Sequence, residues 1–106
     1  MWIFTRHGYF SAVQNYKNRN LIHVRARFKG DLERLCLAYR IPPQVTSTPM
    51  SDYPYRMDFT RDAFAQIVKN EVEAIDYTNF TLAVHEGTKR DAAYGSVSRT
   101  LKNAQF

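Results

Sequence analysis

Cysteine is nearly missing from this chain. Cys36 stands alone among 106 residues, so no internal disulfide can form and no C-x-x-C spacing exists. It falls on the apolar side of a predicted helix, where it reads as a buried thiol rather than a nucleophile, and a lone reduced thiol suits a cytoplasmic compartment. Long apolar runs are missing too. The opening MWIFTRHGYF is apolar for only four residues and then polar, which does not read as a signal peptide. No stretch approaches the ~18 apolar residues of a membrane span, so no membrane partner is expected. The signatures of common catalytic sites are also absent: no G-x-S-x-G, no P-loop, no H-E-x-x-H and no dinucleotide fingerprint. His7, His23 and His85 are scattered without ligand spacing, so neither a metal nor a cofactor is expected. Asp58 and Asp62 flank a predicted helix start, where capping and the helix dipole account for them better than a catalytic pair does.

What is present fits one folded domain over residues 1–106. Hydrophobic residues make up 44% and aromatics 14%, enough for a core in a chain that buries about two-thirds of its surface. The net charge of +5 is uneven: residues 1–50 hold eight Lys/Arg against two acids, and residues 51–106 hold seven against eight. A basic half suits an anionic partner, whether nucleic acid, a nucleotide or an acidic protein surface, although solvated strand faces would produce the same balance.

Trp2–Thr5 and Tyr9–Gln14 read as a hairpin, with Gly8 supplying the positive φ of the turn. LIHVRARF alternates most clearly. Ile22, Val24, Ala26 and Phe28 share one face, and His23, Arg25 and Arg27 the other. Gly30 and Asp31 open a helix carrying Leu32, Leu35, Cys36 and Tyr39, which Pro42 and Pro43 end. IPPQVTSTPM reads as loop alone. In SDYPYRMDFT, Tyr53, Tyr55, Met57 and Phe59 alternate with Pro54, Arg56 and Asp58, so the tyrosines go to the buried side by default. Thr60 is a predicted N-cap for a helix from Arg61 to about Ile75 with the stripe Phe64, Ile67, Val68, Val72 and Ile75. A further helical segment begins at IDYTNF and stops at Gly87, and Thr88 caps a last helix bearing Tyr94, Val97, Leu101 and Ala104.

The order βββαβααα predicts an α+β domain: a mainly antiparallel four-stranded sheet with helices on one face, ferredoxin-like or related. The strands at Leu21 and Phe59 flank a helix and are expected to pair in parallel through a right-handed crossover.

MWIFTRHGYFSAVQ, VRARFKGDLERL, DYPYR and IDYTNF, in that order, resemble a family of small bacterial and phage proteins. Its members begin MW(L/I)FT, continue G(F/Y)FS, and carry an RAR strand and a DYPYR segment. The resemblance spans most of residues 1–80. It implies that Thr5, Gly8, Ser11, Arg25, Arg27, Asp52, Tyr53, Tyr55, Arg56, Asp76 and Tyr77 occupy motif positions, and it brings no activity with it. The C-terminal RDAAYGSVSRTLKNAQF departs from the family pattern, which is richer in His and Trp there.

Three functional readings follow. In the leading one, a non-enzymatic basic domain holds nucleic acid or a nucleotide-like phosphate on a sheet face through Arg25, Arg27, Arg56 and His23, with Tyr53, Tyr55 and Asp52 nearby. Arginine forks beside aromatic rings suit phosphates and stacked bases. Against it stands a structural network in which Asp52, Asp58 or Asp76 neutralises those arginines. By alternation the hairpin adds either Trp2 and Phe4 or Tyr9 to that face, while Trp2, near the terminus, also reads as a tether for its strand. The second reading is a protein–protein inhibitor or adaptor, such as a phage-encoded antagonist of a host defence or nuclease, engaging an acidic host surface. The third is a metal-independent ribonuclease built on His23, Arg25, Arg27 and Arg56. A homo-oligomer is the remaining alternative, in which the basic face is an interface between copies instead of an open surface.

Overall fold

The computed structural model describes residues 1–84 and 89–104. His85, the expected stop at Gly87 and the expected cap at Thr88 lie outside the described residues. The chain divides into two compact units, Met1–Ala74 and Ile75–Phe106.

The first unit holds β1 (Trp2–Phe4), β2 (Tyr9–Gln14), β3 (Leu21–Ala26), α1 (Lys29–Ala38), β4 (Thr46–Ser47), β5 (Tyr55–Thr60) and α2 (Arg61–Glu73). The strands form one sheet in the order β1-β2-β3-β5-β4, with every neighbouring pair antiparallel. The α+β class expected from sequence is therefore present, with five strands rather than four. The extra strand lies in the IPPQVTSTPM segment, where Thr46 pairs with Arg56 and Ser47 with Tyr55. The expected parallel pairing of β3 with β5 does not form. Both β3 and β4 run antiparallel to β5, so the strand reached in the parallel sense after α1 is the short β4, and β5 folds back between them.

Alternation along β2, β3 and β5 buries one face of this sheet. Phe10, Ala12, Val24, Ala26, Met57 and Phe59 meet Leu32, Leu35 and Cys36 of α1 and Phe64 and Ile67 of α2 in one core. Burying a Leu or Phe side chain contributes about 1.5–3 kcal/mol, so this cluster accounts for why both helices lie on the same face. Phe28 departs from its expected place. It is the N-cap residue of α1 and is exposed, because β3 ends at Ala26 and the alternation stops there. The Thr60 cap forms as expected, its hydroxyl accepting the Ala63 N–H at 3.1 Å. The α2 stripe packs only as far as Val68, leaving Val72 exposed.

The corner of the β1–β2 hairpin is tied to both helices. Gly8 has φ 154°, and a Cβ there would collide with the carboxyl group of Asp31. Thr5 Oγ1 accepts the N–H groups of His7 and Gly8 at 3.0 and 3.2 Å. Asp31 is buried, accepts the Tyr9 N–H at 3.2 Å and pairs with Arg34. Arg34 Nε donates in turn to the His7 carbonyl at 3.2 Å. His7 Nδ1 lies 2.5 Å from Glu71 of α2. Burial, then the Glu71 charge and its hydrogen bond, push the Tyr39 hydroxyl above its ordinary pKa. Asp31, read from sequence as a first-turn helix carboxylate, thus also fastens the hairpin to α1.

In the second unit, α3 (Phe80–Ala83) is a single turn begun by Asn79, whose side chain accepts the Leu82 N–H at 3.2 Å. The helix expected from IDYTNF onward is therefore confined to four residues. Phe80 stacks on Tyr94 of α4 (Lys89–Ala104) at 5.6 Å between ring centres, and Leu101 on the same helix is exposed. Among the described residues no helix is long and apolar enough to cross a membrane.

Candidate functional site

The side chains of the first unit that alternate away from α1 and α2 form the second face of the sheet. Cross-strand register arranges them in rows. Trp2 lies opposite Ser11, Ser11 opposite Arg25, Arg25 opposite Arg56, and Arg56 opposite Thr46, one row across all five strands. The neighbouring row is Val13, His23 and Asp58. On the other side Phe4 stands opposite Tyr9. Trp2 and Phe4 therefore share the face with Tyr9, where the sequence offers them as alternatives. Trp2 is 69% exposed, so it does not anchor its strand by burial.

Arg25 and Arg56 are a like-charge pair directly across two strands, an arrangement that costs stability unless something offsets it. Among the described residues no carboxylate does so. Arg25 donates to Ser11 Oγ at 2.9 Å, and Arg56 donates to Ser51 Oγ at 2.8 Å and to the Tyr53 carbonyl at 3.2 Å. Asp58 is engaged elsewhere, accepting from Asn15 at 3.1 Å and lying 2.9 Å from His23 Nδ1. Burial alone would raise the Asp58 pKa, but its bonds to His23 and Asn15 and the His23 charge outweigh that and hold it below the usual carboxylate value. Asp52 is exposed and makes no bond to these arginines among the described residues. Asp76 belongs to the second unit. The Nε–H groups of Arg25 and Arg56 are buried without an acceptor, so both guanidinia carry unfilled donor capacity.

Tyr53 organises this cluster. It precedes β5 by two residues, is 9% exposed, and sits outside the α1/α2 core. The guanidinium carbons of Arg25 and Arg27 lie 4.9 and 5.1 Å from its ring centre, within cation–π range. Its hydroxyl is 2.9 Å from that of Tyr9. Burial, followed by the hydrogen bond to Tyr53, pushes the Tyr9 hydroxyl up to about 12. Burial works the same way on Tyr53, but the bonds to Tyr9 and Arg27 and the charges of Arg27 and Arg25 prevail and lower it. The two hydroxyls are therefore pushed in opposite directions, with Tyr53 the more acidic of the pair. Tyr9 also stacks on Phe4 at 4.6 Å and meets Trp2 edge-on at 6.2 Å. Trp2 and Phe4 thus both meet Tyr9, and an aromatic ladder runs from these two rings through Tyr9 to Tyr53 and the arginines.

The structure brings together Arg25, Arg27, Arg56 and Tyr53, with His23 in the next row. It separates Tyr55, which packs beside the core on the other face. Tyr9, Ser11 and Ser51 join the group; β2 alternation could have indicated Ser11, whereas Ser51 carries no periodic signal. Among the described residues no cluster of three His, Cys, Asp or Glu side chains could hold a metal. A separate apolar cavity of about 510 Å³, lined by residues including Met1, Ile22, Phe64 and Val68, touches none of the three arginines.

These features define a class: an antiparallel sheet with helices on one face and an arginine–tyrosine cluster on the other. No protein-family model matches the chain, and no curated protein or solved structure matches it significantly.

Proposed function

We propose that this face binds single-stranded nucleic acid, with Arg25, Arg27 and Arg56 on the phosphates and the Trp2–Phe4–Tyr9 ladder against the bases. The observation that carries the reading is the opposed pair Arg25 and Arg56, with no carboxylate among the described residues against either. Guanidinium forks donate to phosphate oxygens in pairs, and aromatic rings on a sheet stack bases with little regard to sequence. The ladder favours nucleic acid over an acidic protein surface, which would engage the arginines without needing an exposed Trp2.

The test is fluorescence anisotropy with a labelled oligonucleotide. Arg25→Ala combined with Arg27→Ala should weaken binding at least tenfold, and Trp2→Ala should weaken it at constant salt slope. Unchanged affinity in the double variant would sink the reading.

A further inference from the structure

We infer that the bound strand is RNA and that the same face cleaves it, with His23 as the base that removes the 2′-hydroxyl proton and Tyr53 as the acid that protonates the leaving 5′-oxygen. This rests on the binding reading above and adds a reaction to it.

His23 Nδ1 is held at 2.9 Å by Asp58, which is itself fixed by Asn15 at 3.1 Å. A carboxylate on Nδ1 fixes both ring orientation and tautomer, so that Nε2 presents its lone pair. Nε2 has no partner among the described residues. His23 stands two residues from Arg25 on the same face of one strand, about 6.6 Å along it from the usual rise. On the far side of Arg25 is Tyr53, whose ring centre lies 4.9 Å from the guanidinium carbon. The opposed arginines therefore occupy the interval between imidazole and phenol. A phosphate seated on them lies between a base and an acid, with two cations against its oxygens.

The atoms balance without a metal or co-reactant. His23 Nε2 takes the 2′-hydroxyl proton as O2′ attacks phosphorus. The Arg25 and Arg56 guanidinia hold the charge gathering on the non-bridging oxygens. The P–O5′ bond breaks, and O5′ leaves with the Tyr53 proton. The products are a 2′,3′-cyclic phosphate and a 5′-hydroxyl, and solvent returns the proton from His23 to Tyr53. Tyr53 suits the acid role because its hydroxyl is held 2.9 Å from that of Tyr9 and two arginines lie against its ring to stabilise the anion. Asp58 is a positioning residue and does not touch the substrate.

The experiment uses the full chain in EDTA, a labelled RNA oligonucleotide and the DNA oligonucleotide of the same sequence. The expected result is that both bind, only the RNA is cut, and its new ends are 2′,3′-cyclic phosphate and 5′-hydroxyl. His23→Gln should slow cutting at saturating RNA by about 10²–10⁴-fold, the usual share of a general base. Tyr53→Phe, which keeps the ring against the arginines, should slow cutting at least tenfold. Asp58→Asn should lower kcat with KM and thermal midpoint unchanged. RNA that is bound but intact, or cut equally fast by His23→Gln prepared in parallel, overturns the cleavage inference and leaves the binding reading standing. Failure to bind either oligonucleotide overturns both.

Discussion

Arg56→Met separates a structural arginine from a functional one, because its effects on folding and on binding are expected to diverge. Methionine keeps the apolar length of the side chain and removes the charge. Two hydrogen bonds are lost, to Ser51 and to the Tyr53 carbonyl, at about 0.5–1.5 kcal/mol each. Against that, the direct opposition to Arg25 is relieved, worth about 0.2–1 kcal/mol. A buried Nε–H without an acceptor also disappears, worth about 1–3 kcal/mol. Set against one another, these ranges leave a net between about 2 kcal/mol lost and about 3 kcal/mol gained, so the urea midpoint should not fall far and has room to rise. Binding should respond differently. Three phosphate contacts on a single strand give a slope of log K against log salt near −2, about −0.7 per contact. Raising salt from about 50 to about 200 mM should then cost the natural protein about 20-fold in affinity and the variant about 7-fold. The assays are urea denaturation and anisotropy over that salt range. A loss of more than about 3 kcal/mol in stability, the mark of a broken buried network, together with an unaltered salt slope, would refute the argument.

Two further outcomes test the frame of the site. Gly8→Ala should lower stability by about 3 kcal/mol or more in urea, since it strains a positive φ and drives the Asp31 carboxylate off the Tyr9 N–H; stability within about 0.5 kcal/mol would contradict the corner geometry. In an alkaline titration followed by tyrosine absorbance, one phenol should ionise below the ordinary value of about 10, and Tyr9→Phe should shift that ionisation upward by removing the hydrogen bond between the two hydroxyls. An unmoved titration would mean that Tyr9 does not set the acidity of its partner.

Much of this was legible because it is local. The Gly8 turn, the Thr60 cap and the alternation of His23 and Arg25 against Val24 depend on neighbouring residues, and β3 keeps its period of two from Leu21 to Ala26. Counting by two fails where the strand has not begun. Extending the β5 alternation backward puts Tyr53 in the core with Tyr55, but Pro54 separates Tyr53 from the strand and the side chain lies against Arg25 and Arg27 instead. The partner of Arg56 is equally illegible. Asp58 shares its face, yet the register puts Asp58 opposite His23, and hydroxyls from Ser11 and Ser51 hold the arginines. The strand at Thr46–Ser47 has too few residues to show a period, which is why β3 and β5 look like consecutive strands of a parallel unit.

The sheet ends on both sides in its shortest strands, three residues of β1 and two of β4. An edge is where a sheet recruits another chain, through unpaired N–H and C=O groups in an extended row. These short strands cover only part of their neighbours: β1 pairs with Tyr9, Phe10 and Ser11 of β2, and β4 with Tyr55 and Arg56 of β5, so β3 is the strand held along both sides. The longest row of β5 without an outer neighbour strand is therefore residues 57–60, just past the end of β4, and that rim is where an added strand would find its template.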